Sequence, residues 1–179
     1  MTRRTRADLG VVRPSDVPPE RWANGLGVTR VLAARPAWRI SLAEIEGRMP
    51  FSPFLGADRV LIPLTAPGVR LEVDGVERLV GPHSGLAFRG EDRVIAETGG
   101  RRISVVNFMA RRSSGRMRWE IRPVLGRIDA DADAVVVLSG QVSSGDEILP
   151  PGTVLGAKNA VRAVAGPDAV IARLRLLAH

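Results

Sequence analysis

Residues 69–80, Val-Arg-Leu-Glu-Val-Asp-Gly-Val-Glu-Arg-Leu-Val, leave the chain little choice of local structure. Apolar and charged residues alternate on both sides of Asp74-Gly75, a pair that tolerates the positive φ angles of a two-residue hairpin turn. That register puts Val69, Leu71, Val73, Val76 and Val80 on one face, so the hairpin has one buried side. The same period of two recurs elsewhere. Val28, Arg30 and Leu32 alternate with Thr29, Val31 and Ala33, and residues 38–43 alternate again after a break at Pro36. Residues 47–56, with two prolines and two phenylalanines, read as a loop whose rings fold back over apolar surface. Gly81-Pro82 and Ser84-Gly85 mark a corner before Leu86-Ala87-Phe88, and further strands are expected at 93–97, 103–109 and 117–122. Hardly any helical periodicity appears. Short strands separated by turn residues predict an all-β sandwich or barrel.

The second half repeats the first in outline. Residues 134–138 can be laid on 60–64, while Ile148-Leu149-Pro150-Pro151 and Leu155 fall on Leu79-Val80-Gly81-Pro82 and Leu86 after a shift that a shorter second hairpin would produce. Residues 168–177 would then supply the closing strand. Residues 1–17 read as a basic flexible tail with a proline-rich lead-in, followed by one compact domain from 18 to 179. Its first half covers about 22–123 and its second about 130–179.

Composition removes several classes of function. With no cysteine there are no disulfides, no thiolate catalysis and no Cys-based zinc site. No apolar run approaches the ~18 residues that span a membrane, and no apolar stretch follows the basic start as a signal peptide requires, so a cytoplasmic protein is expected. The net charge of +7 invites a nucleic-acid reading, but the arginines are spread along the chain, Tyr is absent and no reading helix is recognisable. A solvated arginine-rich surface explains the charge, and no nucleic-acid partner is expected. Only His83 and His179 are available as imidazole ligands, with no His-x-His pair, so no metal or other cofactor is expected. His83, within Gly-Pro-His-Ser-Gly, reads as a turn residue. No nucleophile elbow is present. Glu44, Asp58 and Glu97 are the carboxylates open to acid–base work, although Glu44 reads as an outward strand residue paired with an arginine and Asp58-Arg59 as a structural ion pair.

What remains is a set of groups suited to a small anion in a barrel mouth. Arg30, Arg39 and Arg59 offer planar forks for a carboxylate, and Asn24, Thr29, Ser41 and Asn107 offer orienting hydrogen bonds. Strand alternation places Arg39 and Ser41 on one face and Thr29 opposite Arg30, so the whole set cannot converge. Trp22 and Trp38 read as core or rim packing.

Three spaced blocks carry a resemblance. WANGLGVTR at 22–30, WRISLAEI at 38–45 and PFSPFLGADRVL at 50–61 resemble the HutD/Ves family, as do Asn107-Phe108-Met109 and, more weakly, Phe88-Arg89-Gly90. The likeness covers roughly residues 18–110. The chain departs from the family pattern in carrying Leu26 within a usual run of three glycines and Val105 where an Asp is usual. The resemblance implies a double-cupin (bicupin) barrel. It also implies a protein without catalysis of its own that modulates histidine utilisation by binding a small anionic ligand, such as urocanate or a formylated acidic intermediate. The ligand-binding residues expected on this footing are Asn24, Arg30, Arg39, Ser41, Arg59, Phe88 and Asn107. A homodimer stays open, and the alternative is a metal-independent isomerase-type cupin enzyme acting on a carboxylated substrate.

Overall fold

The structure, a computed structural model, describes residues 9–22, 27–129 and 131–178. Its strands in chain order are β1 (Val11–Val12), β2 (Glu20–Arg21), β3 (Gly27–Ala34), β4 (Trp38–Pro50), β5 (Ala57–Pro63), β6 (Val69–Val73), β7 (Val76–Val80) and β8 (Leu86–Arg89). They continue as β9 (Val94–Arg111), β10 (Arg116–Arg127), β11 (Ala134–Ser139), β12 (Val142–Ser144), β13 (Glu147–Leu149), β14 (Val154–Gly156) and β15 (Ala163–Leu177). Helical structure among the described residues amounts to two 3-10 turns and the short helix Ala157–Ala160. The strands form two antiparallel sheets. One runs β2-β3-β4-β9-β5-β8 with the β6–β7 hairpin attached to β9, and the other runs β1-β14-β11-β15-β12-β13 with β10 attached to β15.

The internal repeat is visible in the pairing. β5 pairs with β8 and β9 while β6 pairs with β7 and β9; in the second sheet β11 pairs with β14 and β15 while β12 pairs with β13 and β15. β4 on β9 is matched by β10 on β15. The second hairpin is the shorter one, three residues a strand against five.

Several boundaries move. The hairpin has the expected register, with Asp74 at φ 48° and Gly75 at φ 82°, but its tip rises clear of the core: Val69, Leu71 and Val80 are buried and Val76 is exposed. The loop expected over 47–56 begins only after Pro50, because β4 continues through a bulge at Gly47 whose N–H is taken by the Thr98 hydroxyl. The separate strands expected at 93–97 and 103–109 are one strand, β9. The Gly99-Gly100 pair, both at positive φ, bends it without ending its pairing to β4.

The limits drawn for the two halves also need correction. β10, which begins within the 22–123 expected for the first half, belongs to the second sheet through its long register with β15. Part of the supposed tail does too, since Val11 and Val12 pair with Leu155 and Val154, and Leu9, Val12 and Val17 pack against the core. Residues 9–17 are therefore framework; residues 1–8 lie outside the described set.

Three apolar clusters follow from strand alternation. Inward residues of the first sheet, including Ile45, Leu61, Leu71, Ile103 and Val105, fill one barrel, and Val135, Val137, Val142, Leu149 and Ile171 fill the other. The opposite faces meet between the sheets, where Ile40, Leu42, Ile62, Val106 and Phe108 pack on Val136, Leu138, Val154 and Leu174. Each strand of β4, β5 and β9 thus has one face in the seam and the other inside the first barrel.

Candidate functional site

Register places the polar inward residues of the first barrel in two rungs. Ser41 on β4 faces Asn107 on β9, which faces Leu61 on β5. Two residues further along, Arg39 faces Met109, which faces Arg59, which faces Phe88 on β8. Even-numbered neighbours such as Ile40, Val60 and Phe108 go to the seam, so the period of two selects the site residues. These rungs line a cavity of about 240 Å³ together with Trp22, Thr29 and Val31 and with Phe51, Ser52 and Phe54.

Arg59 is its central group. The residue is 4% exposed, and no carboxylate pairs with it among the described residues. Its NH1 donates to the Ser52 carbonyl at 3.3 Å and its NH2 to Asn107 Oδ1 at 3.4 Å, while its buried Nε has no acceptor. Three aromatic rings surround the guanidinium, Phe88 at 5.0 Å, Phe54 at 5.1 Å and Phe51 at 5.3 Å from centroid to carbon. Their quadrupoles offset part of the cost of burying the charge. Burial, with the charge of Arg39 added, pulls the Arg59 guanidinium down to about 10, so it remains charged at neutral pH. Arg39 shares the Phe54 ring at 5.3 Å and donates from NH2 to Met109 Sδ at 3.4 Å, a weak acceptor. Two cations therefore border one small cavity, with hydrogen-bonding groups beneath them.

Of the residues expected from sequence, the structure brings together Arg39, Ser41, Arg59 and Asn107 on the cavity, with Phe88 behind Arg59. Asn24 lies outside the described residues. Arg30 does not join them: it shares a register position with the seam residue Leu42 and pairs with Glu44 at 3.2 Å. Thr29, on the other face, lines the cavity and accepts a hydrogen bond from Trp22 Nε1 at 2.7 Å. Trp22 thus belongs to the rim, stacked edge-on against Phe51, whereas Trp38 is in the seam.

The carboxylates considered for acid–base work lie elsewhere. Glu44 is held by Arg30 as expected, Asp58 pairs with Arg112 at 3.0 Å rather than with Arg59, and Glu97 accepts from the Gly99 N–H. Adjacent residues on a strand point to opposite faces, which is why Asp58 cannot reach Arg59. Glu20 is the one carboxylate lining the cavity among the described residues, and it is exposed. No group of three or more His, Asp or Glu among the described residues is arranged to hold a metal ion. His83 is a turn residue at φ 56°.

Sequence reasoning missed Phe51, Phe54 and Met109 as site residues. Met109 follows Asn107 by two on the same strand, so alternation alone could have found it. The two phenylalanines were expected to cover apolar surface; they cover arginine instead, because the residue they overhang is Arg59.

Residues 14–172 match the family model described as HutD. The chain is 32% identical over 123 residues to an uncharacterized 21.2 kDa protein in the hutC 3′ region of Pseudomonas putida, a match covering 63% of this chain and 65% of that protein, just short of two thirds of its length. It is 30% identical over 142 residues to Protein Ves of Citrobacter koseri, covering 74% of each. Among solved structures, HutD from Pseudomonas fluorescens SBW25 in the formate condition superposes with a TM-score of 0.76 at 24% identity, covering 94% of this chain and 98% of that one. A cupin 2 conserved barrel protein from Leptotrichia buccalis superposes at 0.58 and 12% identity, covering 96% and 98%, which fixes the fold as a cupin barrel.

Proposed function

The chain belongs to the HutD family, and on that premise we propose that its arginine-bordered cavity binds a small carboxylate and that the protein acts by binding, modulating histidine utilisation without turnover. It is a cupin-type protein of a family associated with that pathway. The observation that carries the proposal is Arg59. A guanidinium removed from water with no carboxylate partner among the described residues and an unsatisfied Nε is costly to keep unless a ligand completes it. A carboxylate is the complement: planar, anionic and able to accept two parallel N–H bonds. Ser41 and Asn107 beneath would orient the rest of a urocanate-like or formylated acid. Absence of a buried acid or histidine among the described cavity residues favours binding over acid–base catalysis.

Calorimetry tests this directly. The parent should bind urocanate saturably without forming product, its methyl ester should bind at least about tenfold more weakly, and Arg59→Ala should cost the acid about tenfold or more, at ~1.4 kcal/mol per decade. Equal binding of acid and ester, or an Arg59→Ala variant that binds like the parent, overturns the reading. Product accumulating with time would transfer it to the enzyme class.

A further inference from the structure

Beyond Phe54 the cavity meets a second, more open one of about 710 Å³, and the two share Arg39, Phe54 and Met109 as their partition. Arg35 and Arg111 also line this groove, no acidic residue lines it, and Leu55 at its edge is exposed. The register of the site strands places Arg111. On β9 it follows Met109 by two residues, so it lies on the same face, about 7 Å further toward the barrel mouth at ~3.3–3.4 Å per residue. Its backbone is fixed there, facing Ala57 on β5 and donating its N–H to the Ala37 carbonyl. The side chain makes no ion pair among the described residues. The next residue shows the contrast: Arg112 is tied to Asp58 and Glu91.

Resting on the carboxylate reading above, we propose that this groove is the second half of the ligand site and that Arg111 is its specificity-determining residue. The ligand class is an elongated acid with two anionic groups. One anionic group lies on Arg59 and Arg39 in the inner cavity. The other lies on Arg111, one two-residue repeat further along β9, with the connecting chain passing Met109 and the edge of Phe54. Two like-charged rungs without intervening acids disfavour a ligand with a neutral tail only by failing to reward it. A second carboxylate gains a charge-assisted contact that its ester cannot make. Because Arg111 is exposed, this contact weakens with added salt more than the buried one does.

The experiment measures a ratio. Glutarate and monomethyl glutarate are titrated into the full chain at low and high salt, with succinate and adipate to read the length optimum. The parent should prefer the diacid to its monoester by about tenfold, Arg111→Gln should bring the ratio to near unity, and Arg111→Lys should restore part of it. Thermal unfolding of both variants at the parent temperature shows that the fold is kept. An Arg111→Gln variant that retains the full preference overturns the proposal, as does a parent that binds the diacid and the monoester alike. The underlying reading is scored separately by Arg59→Ala. Monoester binding that depends on Arg59 with no preference for the diacid leaves the inner cavity standing and removes the second subsite. No Arg59-dependent binding of any of these acids removes both.

Discussion

Arg59 is where stability and function oppose each other. Its folded value of about 10 lies well below that of an ordinary guanidinium, so the unfolded chain holds the proton more tightly and the buried charge costs stability at every pH below about 10. That cost is relieved as pH rises through about 10 toward the ordinary arginine range. An apolar side chain of similar length removes the cost outright, since a buried charge with no carboxylate partner among the described residues gains little in return. Arg59→Met is therefore expected to raise the melting temperature of the ligand-free protein by a few degrees while abolishing carboxylate binding. Its stability advantage should narrow above pH of about 10, which denaturant unfolding across that range checks. A melting temperature lowered by several degrees would mean that the aromatic contacts of Arg59 outweigh its desolvation.

The element that holds this residue in place is the segment from Phe51 to Gly56. Phe54 donates its N–H to the Gly90 carbonyl at 2.7 Å, Gly90 donates to Ala57 at 2.7 Å, and Arg112 donates from NH1 to the Ala57 carbonyl and from its backbone N–H to Gly56. A Cβ at position 90 would overlap the Phe54 carbonyl oxygen, so the segment can lie this close only over glycine. Gly90→Ala should push it outward, lift Phe54 from both guanidiniums, lower stability by about 1–3 kcal/mol and weaken carboxylate binding together with it. Equilibrium unfolding and calorimetry on the same variant read both effects. Unchanged binding despite the loss of stability would show that Phe54 is dispensable to the site. The weak FRG resemblance at 88–90 thus has a physical content: Phe88 stacks on Arg59 and Gly90 admits the covering segment.

At the scale of the molecule the two barrels share a topology but divide the work. The inward positions of the second, among them Val135, Val137, Ala165, Ala169 and Ile171, are apolar and packed, whereas those of the first become polar at one end. The seam joins them into one unit, and β1 reaches back from the start of the chain to the second sheet. Leu9, Val11, Val12 and Val17 are partly buried there, and Arg13 pairs with Glu147. At ~25 cal/mol per Å² these contacts are worth a few kcal/mol. Deletion through residue 17 should accordingly lower the melting temperature by several degrees more than deletion through residue 8, a comparison that thermal unfolding makes directly. Equal values for the two truncations would make residues 9–17 dispensable.

The local rules of the chain were legible before any tertiary contact was known. The period of two, the Asp74-Gly75 turn and the shortened second hairpin determine an all-β repeat, and the spaced blocks from Trp22 to Leu61 determine the family. Alternation fixes that Arg39 and Ser41 share a face of β4 and that Asn107 and Met109 share a face of β9; the register of β4, β9 and β5 is what brings these faces and Arg59 together. Other features depend on which strands become neighbours, and sequence spacing does not encode that choice. The sheet that β10 joins, the place of β1 beside β14, the diversion of Arg30 to Glu44 and of Asp58 to Arg112, and the seating of Phe51 and Phe54 on Arg59 are all settled by pairing across long stretches of chain. The sequence thus determined which residues share a face of each strand, and only the closed barrel decided which face turns inward and that Arg59 has no carboxylate partner among the described residues.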